Sequence, residues 1–113
     1  MEPAEQPQGP LTAFDGRLVL DPDARTVTVD GREVRLTHQD VRGLRALVEL
    51  GEGMHDAQDV LLHGWGVWLG PRELWYPMAV LRTKLGEPWW IVRDGDRYGL
   101  RPPEPPPSEK LPS

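Results

Sequence analysis

Asp30-Gly31 commits the N-terminal third of the chain to an antiparallel sheet. The dipeptide stands between Thr26-Val27-Thr28-Val29 and Glu33-Val34-Arg35-Leu36, two runs in which apolar and polar residues alternate. A type I′ turn needs positive φ at both central residues, and Asp followed by Gly tolerates this, so the second run folds back on the first. Alternation sends Val27, Val29, Val34 and Leu36 to one face, which is expected to be buried, and their neighbours to water. Upstream, Arg17 to Leu20 and Arg25 to Val29 flank the turn-rich link Asp21-Pro22-Asp23-Ala24 and read as a further hairpin.

After Leu36 the apolar spacing changes to that of helices. Thr37 is a good N-cap, with Asp40 three residues later as a short-armed capping-box acid, and Val41, Leu44, Leu47 and Val48 carry a first helix to about Leu50. Gly51-Glu52-Gly53 ends it. Asp56 with Asp59 repeats the start signal for a second helix, whose apolar side is Val60, Leu61 and Leu62 and which Gly64 or Gly66 closes. Leu74, Met78, Leu81 and Leu85 share one face of a third helix that stops at Gly86 and Pro88. Trp89 to Arg93 and Arg97 to Arg101 around Asp94-Gly95 make a last hairpin. The order sheet, three helices, hairpin defines an α+β domain, with Leu44, Leu47, Leu61, Leu74, Leu81 and Leu85 expected to share one core.

The ends do not belong to that pattern. Residues 1–10 and the tail from Pro102, PPEPPPSEKLPS with six prolines, are expected to be disordered, leaving one domain over residues 11–101. A chain with 38% hydrophobic and 27% charged residues supports one packed core. The absence of cysteine excludes a disulfide framework and a thiolate metal site and suits a reducing cytoplasm. Neither a signal peptide nor a membrane span is legible. The net charge of −5 argues against simple nucleic-acid binding, yet from Arg72 to Arg101 the balance reverses. There Arg72, Arg82, Lys84, Arg93, Arg97 and Arg101 outnumber Glu73, Glu87, Asp94 and Asp96.

Several stretches together resemble the effector domain of OmpR/PhoB-type response regulators over about residues 17–100. Val29-Asp30-Gly31-Arg32-Glu33-Val34-Arg35-Leu36-Thr37 resembles that family's entry from its sheet into helix 1, and Trp65 stands where its helix 2 ends. Leu81-Arg82-Thr83-Lys84-Leu85-Gly86 resembles the end of its recognition helix, and Ile91-Val92-Arg93 with Tyr98-Gly99-Leu100 its wing strands. The DNA-binding domain of the streptomycete antibiotic regulators is similar. The resemblance implies a winged helix-turn-helix that regulates transcription on double-stranded DNA. It places helix 3 (about residues 72–85) in the major groove, the wing (about residues 89–101) in the neighbouring minor groove, and the helix 2 to helix 3 loop against RNA polymerase. It also implies a dimer on direct repeats. Carried over residue by residue, Arg72, Arg82 and Lys84 become helix contacts and Arg93 and Arg97 wing contacts. No receiver domain is expected before this one, so control by phosphorylation is not implied.

The helix centre departs from the family pattern. Trp75, Pro77, Ala79 and Val80 stand where polar or basic residues face the groove, and none can make the bidentate bonds by which Arg reads guanine. Pro77 implies either a helix start near Trp75 or a kink. Of five tryptophans, Trp65 is expected in the core, while Trp89 and Trp90, being adjacent, should point to opposite faces. Trp68, Trp75 and Val80 are the candidates for a protein interface. They support an alternative class, a winged-helix interaction module holding RNA polymerase or another regulator through an apolar surface. His38, His55 and His63 lack metal-ligand spacing, no nucleophile has a nearby base, and neither an enzyme nor a cofactor is expected.

Overall fold

The computed structural model describes residues 9–67 and 70–103. Trp68 and nearly all of the two proposed disordered ends therefore lie outside the described residues. Four strands, β1 (Leu11–Ala13), β2 (Leu18–Asp21), β3 (Thr26–Val29) and β4 (Arg32–Arg35), form an antiparallel meander in that order. Asp30 and Gly31 turn β3 into β4 with φ of 49° and 85°, the two positive values that the turn demands. Val29 then pairs with Arg32 and Val27 with Val34. Leu18, Leu20, Val27 and Val29 are buried on one face, while Val34 is half-buried. β1 was not legible: Leu-Thr-Ala is short, and it is a strand because its three residues pair with β2.

Helix α1 (His38–Leu50) begins at the expected capping box. The Thr37 hydroxyl accepts from Asp40 N–H at 3.2 Å, and the Asp40 carboxylate accepts from Thr37 N–H at 2.9 Å. The segment after α1, read as a plain helix stop, adds a strand, β5 (Gly53–Asp56). Helix α2 (Ala57–Trp65) ends at Gly66 rather than Gly64, with φ of 78° in the left-handed region that glycine adopts freely. Asp56 has the backbone of an N-cap but makes no side-chain capping bond. Its carboxylate lies instead 3.4 Å from Arg97 Nε.

Helix α3 (Arg72–Leu85) starts ahead of Trp75 and carries Pro77 in its interior. Neither Pro77 in a first turn nor a start at Trp75 describes it. Proline has no N–H, so the Glu73 carbonyl, four residues earlier, loses its helical donor. The C-terminal hairpin, β6 (Ile91–Asp94) and β7 (Arg97–Leu100), is joined by β5 in a three-stranded sheet of order β5-β7-β6. Gly99 allows the close approach of β5, because a Cβ there would fall 2.6 Å from the Gly53 carbonyl oxygen. Trp89 and Trp90 precede the strand, in the turn after α3. They do separate, Trp90 buried at 2% exposure and Trp89 exposed at 38%, but through the bend of the chain rather than strand alternation.

One hydrophobic core joins both sheets to all three helices. Leu44, Leu47, Leu61, Leu74, Leu81 and Leu85 are all within it, each 3% exposed or less, as their helical spacing predicts. Trp65 packs partly buried against the core and donates its indole N–H to Gln39 at 2.9 Å. Trp90 lies 6.0 Å from the Phe14 ring and beneath the Arg17 guanidinium at 5.3 Å. Arg17 also pairs with Asp30 at 2.8 Å and donates to the Pro103 carbonyl at 2.7 Å, so the backbone stays tied to the domain two residues past Arg101.

Candidate nucleic-acid interface

With Leu74, Met78, Leu81 and Leu85 turned inward, the phase of α3 fixes every other side chain on it. At 100° per residue, Arg72, Tyr76, Ala79 and Thr83 lie opposite the buried stripe. All four are exposed, Tyr76 at 78%. Trp75 and Arg82 flank this stripe on the side of the wing, while Val80 and Lys84 flank it on the side of α1 and α2. Tyr76 was missed in the sequence, where attention fell on the larger indole beside it. Helix phase, counted from the buried leucines, is the signal that finds it.

The wing side is built from guanidinium–indole contacts. Trp75, 42% exposed, has the Arg93 guanidinium 5.0 Å from its ring centre and that of Arg72 at 5.8 Å. Arg82 lies over Trp89 at 4.0 Å, and its Nε donates to the Ile91 carbonyl at 3.3 Å. Such stacking restricts a planar cation without neutralising it. Among the described residues no carboxylate pairs with Arg72, Arg82 or Arg93.

The other two candidate cations have acidic partners. Arg97 faces Asp56 at 3.4 Å, a solvent-exposed pair that holds it weakly. Lys84 donates to the Asp40 carboxylate at 2.5 Å, and Asp40 is the one buried charged residue among the described residues. Lys84 therefore serves the junction of α3 with the start of α1. The histidines are also accounted for: His38 meets Arg25, His55 the Gly51 carbonyl and His63 the Glu49 carboxylate.

Two concavities border α3. Trp75, Met78, Ala79, Arg82, Arg93 and Tyr98 line a cleft of about 340 Å³ between the helix and the wing. On the opposite side, Trp65, Val67, Tyr76, Pro77 and Val80 line a more apolar groove of about 520 Å³. Val80 is half-buried there. Tyr98 is 1% exposed and its hydroxyl has no hydrogen-bond partner among the described residues. Burial raises its pKa, with Arg93 opposing and Asp96 reinforcing the shift. A raised folded-state value means that its contribution to stability is complete below about pH 10, the ordinary tyrosine value, and is lost as pH rises through the folded value. Tyr98→Phe removes the unsatisfied hydroxyl and should leave the domain equally stable or about 1 kcal/mol more stable at neutral pH. Urea unfolding at pH 7 and pH 10.5 checks this, since the variant must also lose part of the alkaline destabilisation.

No protein-family model matches the chain, and no curated protein matches it. Solved structures do. The RstA DNA-binding domain of Klebsiella pneumoniae, in complex with the RstA box, is 28% identical over 77% of this chain and 93% of that one, with a TM-score of 0.63. The DNA-binding domain of Escherichia coli CadC is 17% identical over 85% of this chain and 95% of its own, with a TM-score of 0.67. A streptococcal redox sensor, described as evolved from two-component response regulators, is 18% identical with a TM-score of 0.64. The match takes in 86% of this chain and 44% of the sensor, so the chain spans less than half of that protein. A meander, three helices around one core and a C-terminal hairpin give this chain the winged helix-turn-helix fold, similar to the DNA-binding domains of RstA and CadC.

Proposed function

We propose that the chain is a transcription regulator that binds double-stranded DNA, with the outward face of α3 in the major groove and the β6–β7 wing against the neighbouring minor groove. The observation that carries this reading is the set of three guanidiniums, Arg72, Arg82 and Arg93. Arg82 and Arg93 line the cleft between α3 and the wing and Arg72 stands at the N-terminal end of the outward face of α3; none has a carboxylate partner among the described residues, and each lies against an indole ring. Phosphates take planar, pre-oriented cations in this way at low conformational cost. Arg97, loosely held by an exposed carboxylate, joins them when a phosphate competes for it. Lys84 is assigned to the fold rather than to DNA.

A salt titration tests the reading. Each neutralised phosphate contributes a slope of about −0.9 to log K against log salt, so three or four contacts give about −3 to −4. Arg82→Gln or Arg72→Gln should flatten that slope by about one unit and weaken binding similarly on unrelated duplexes. A slope near zero, or no binding at low salt, would overturn it. That result would favour a protein-interaction module whose apolar groove at Trp65, Val67, Tyr76 and Val80 takes RNA polymerase or a second copy of the chain.

A further inference from the structure

The phosphate contacts leave the middle of the α3 face unexplained. Tyr76, Ala79 and Thr83 stand at i, i+3 and i+7 and therefore form one stripe along the helix. At 1.5 Å per residue the stripe is about 10 Å long, roughly three base steps. All three residues are exposed, and no hydrogen bond occupies the Tyr76 or Thr83 hydroxyl among the described residues. What they present outward is largely hydrocarbon: a phenol ring, a methyl group, and a methyl beside a hydroxyl. None offers the forked donor set that reads guanine or the paired donor and acceptor that read adenine. The feature of the major groove that matches a methyl or a ring is the C5-methyl group of thymine.

Charge decides which partner such a stripe faces. Arg72 lies at its N-terminal end, and Arg82 and Arg93 lie along its wing side. The carboxylate of the first turn, Glu73, lines the groove on the other side with Tyr76 and Pro77. Apolar groups bordered by cations on the wing side complement the floor and the phosphate edge of a DNA groove. We infer that Tyr76, Ala79 and Thr83 read thymine C5-methyl groups, so that the sequence preference of this protein comes from apolar contact at thymine-rich steps. This rests on the DNA-binding reading above. It replaces hydrogen-bonded readout at the helix centre and leaves the phosphate contacts as they are.

The experiment separates the two. Duplexes are enriched on the full chain from a randomised pool, and the winning sequence is synthesised twice, once with thymine and once with deoxyuridine, which differs by that methyl alone. Both carry the same phosphates, so both should show the same salt slope. The thymine duplex should bind about tenfold more tightly. Tyr76→Ser and Ala79→Ser, both at exposed positions, should shrink that ratio toward one while circular dichroism stays unchanged. Equal affinity for the two duplexes, or enrichment of sites without thymine, overturns the inference and leaves salt-dependent DNA binding intact. No binding to any duplex overturns both.

Discussion

Leu81→Ala is expected to lower the free energy of unfolding by about 2 to 5 kcal/mol, the range for truncating a core leucine. Leu81 has 0% exposure and sits in the middle of α3, where it meets α1. Its Cδ2 lies 3.8 Å from the point where a side chain at Gly43 would begin, so the two helices are already in contact there. Neither backbone can close the vacancy without dragging its own neighbours, Met78 and Leu85 on α3 and Leu44 and Leu47 on α1, out of register with the sheet. The loss comes from transferred methyl groups and from a cavity that stays open. A domain of this size has about 5 to 10 kcal/mol in total, so the variant should unfold at a much lower urea concentration with an unchanged m-value. An unchanged midpoint would remove Leu81 from the core and displace the helix phase on which the interface rests.

Asp40→Ala should be nearly as damaging, by about 2 to 4 kcal/mol. The carboxylate closes the capping box at Thr37 N–H and accepts from Lys84 while being 3% exposed. A lost helix cap costs about 1 kcal/mol. Breaking a buried ion pair from one side costs about 3 to 5 kcal/mol, reduced here because the Lys84 side chain keeps 32% exposure and can rehydrate. Lys84→Met should destabilise too, by leaving the carboxylate buried with the Thr37 amide as its remaining donor. The double variant should cost less than the sum of the two, as residues sharing one interaction do. Two measurements decide the role of Lys84. Denaturant unfolding should move in both single variants, and the salt slope of DNA binding should stay unchanged in Lys84→Met. A slope flattened by one unit would return Lys84 to the phosphate contacts.

The elements that local chemistry dictates were legible in the sequence: the Asp30-Gly31 turn, the Thr37–Asp40 capping box and the leucine phases of the three helices. Each is settled within a few residues. β5 was not, because Gly53-Met54-His55-Asp56 has no apolar alternation and becomes a strand through pairing with residues 97–100, over forty positions later. Lys84 illustrates the same limit at the interface. Its sequence neighbourhood resembles the end of a recognition helix, and the Asp40 that engages it lies 44 residues upstream. Trp75 is legible as a candidate for a protein interface, but its contacts with the Arg72 and Arg93 guanidiniums are not, because Arg93 reaches it from the wing eighteen positions later. Pro77 hid the helix start, since proline is disfavoured inside helices and the core packing of Leu74 and Met78 overrides that preference here.

The uneven placement of charge has a kinetic consequence. Residues 11–71 carry ten carboxylates against six guanidiniums, while residues 72–101, which form α3 and the wing, carry six cations against four carboxylates. The whole chain carries −5, so a duplex repels it on average. At close range the field is directional, and a molecule arriving with α3 and the wing turned away is repelled more than one arriving with them in front. On the proposed DNA-binding reading, encounters are thereby filtered by orientation, and those that survive arrive with α3 and the wing leading.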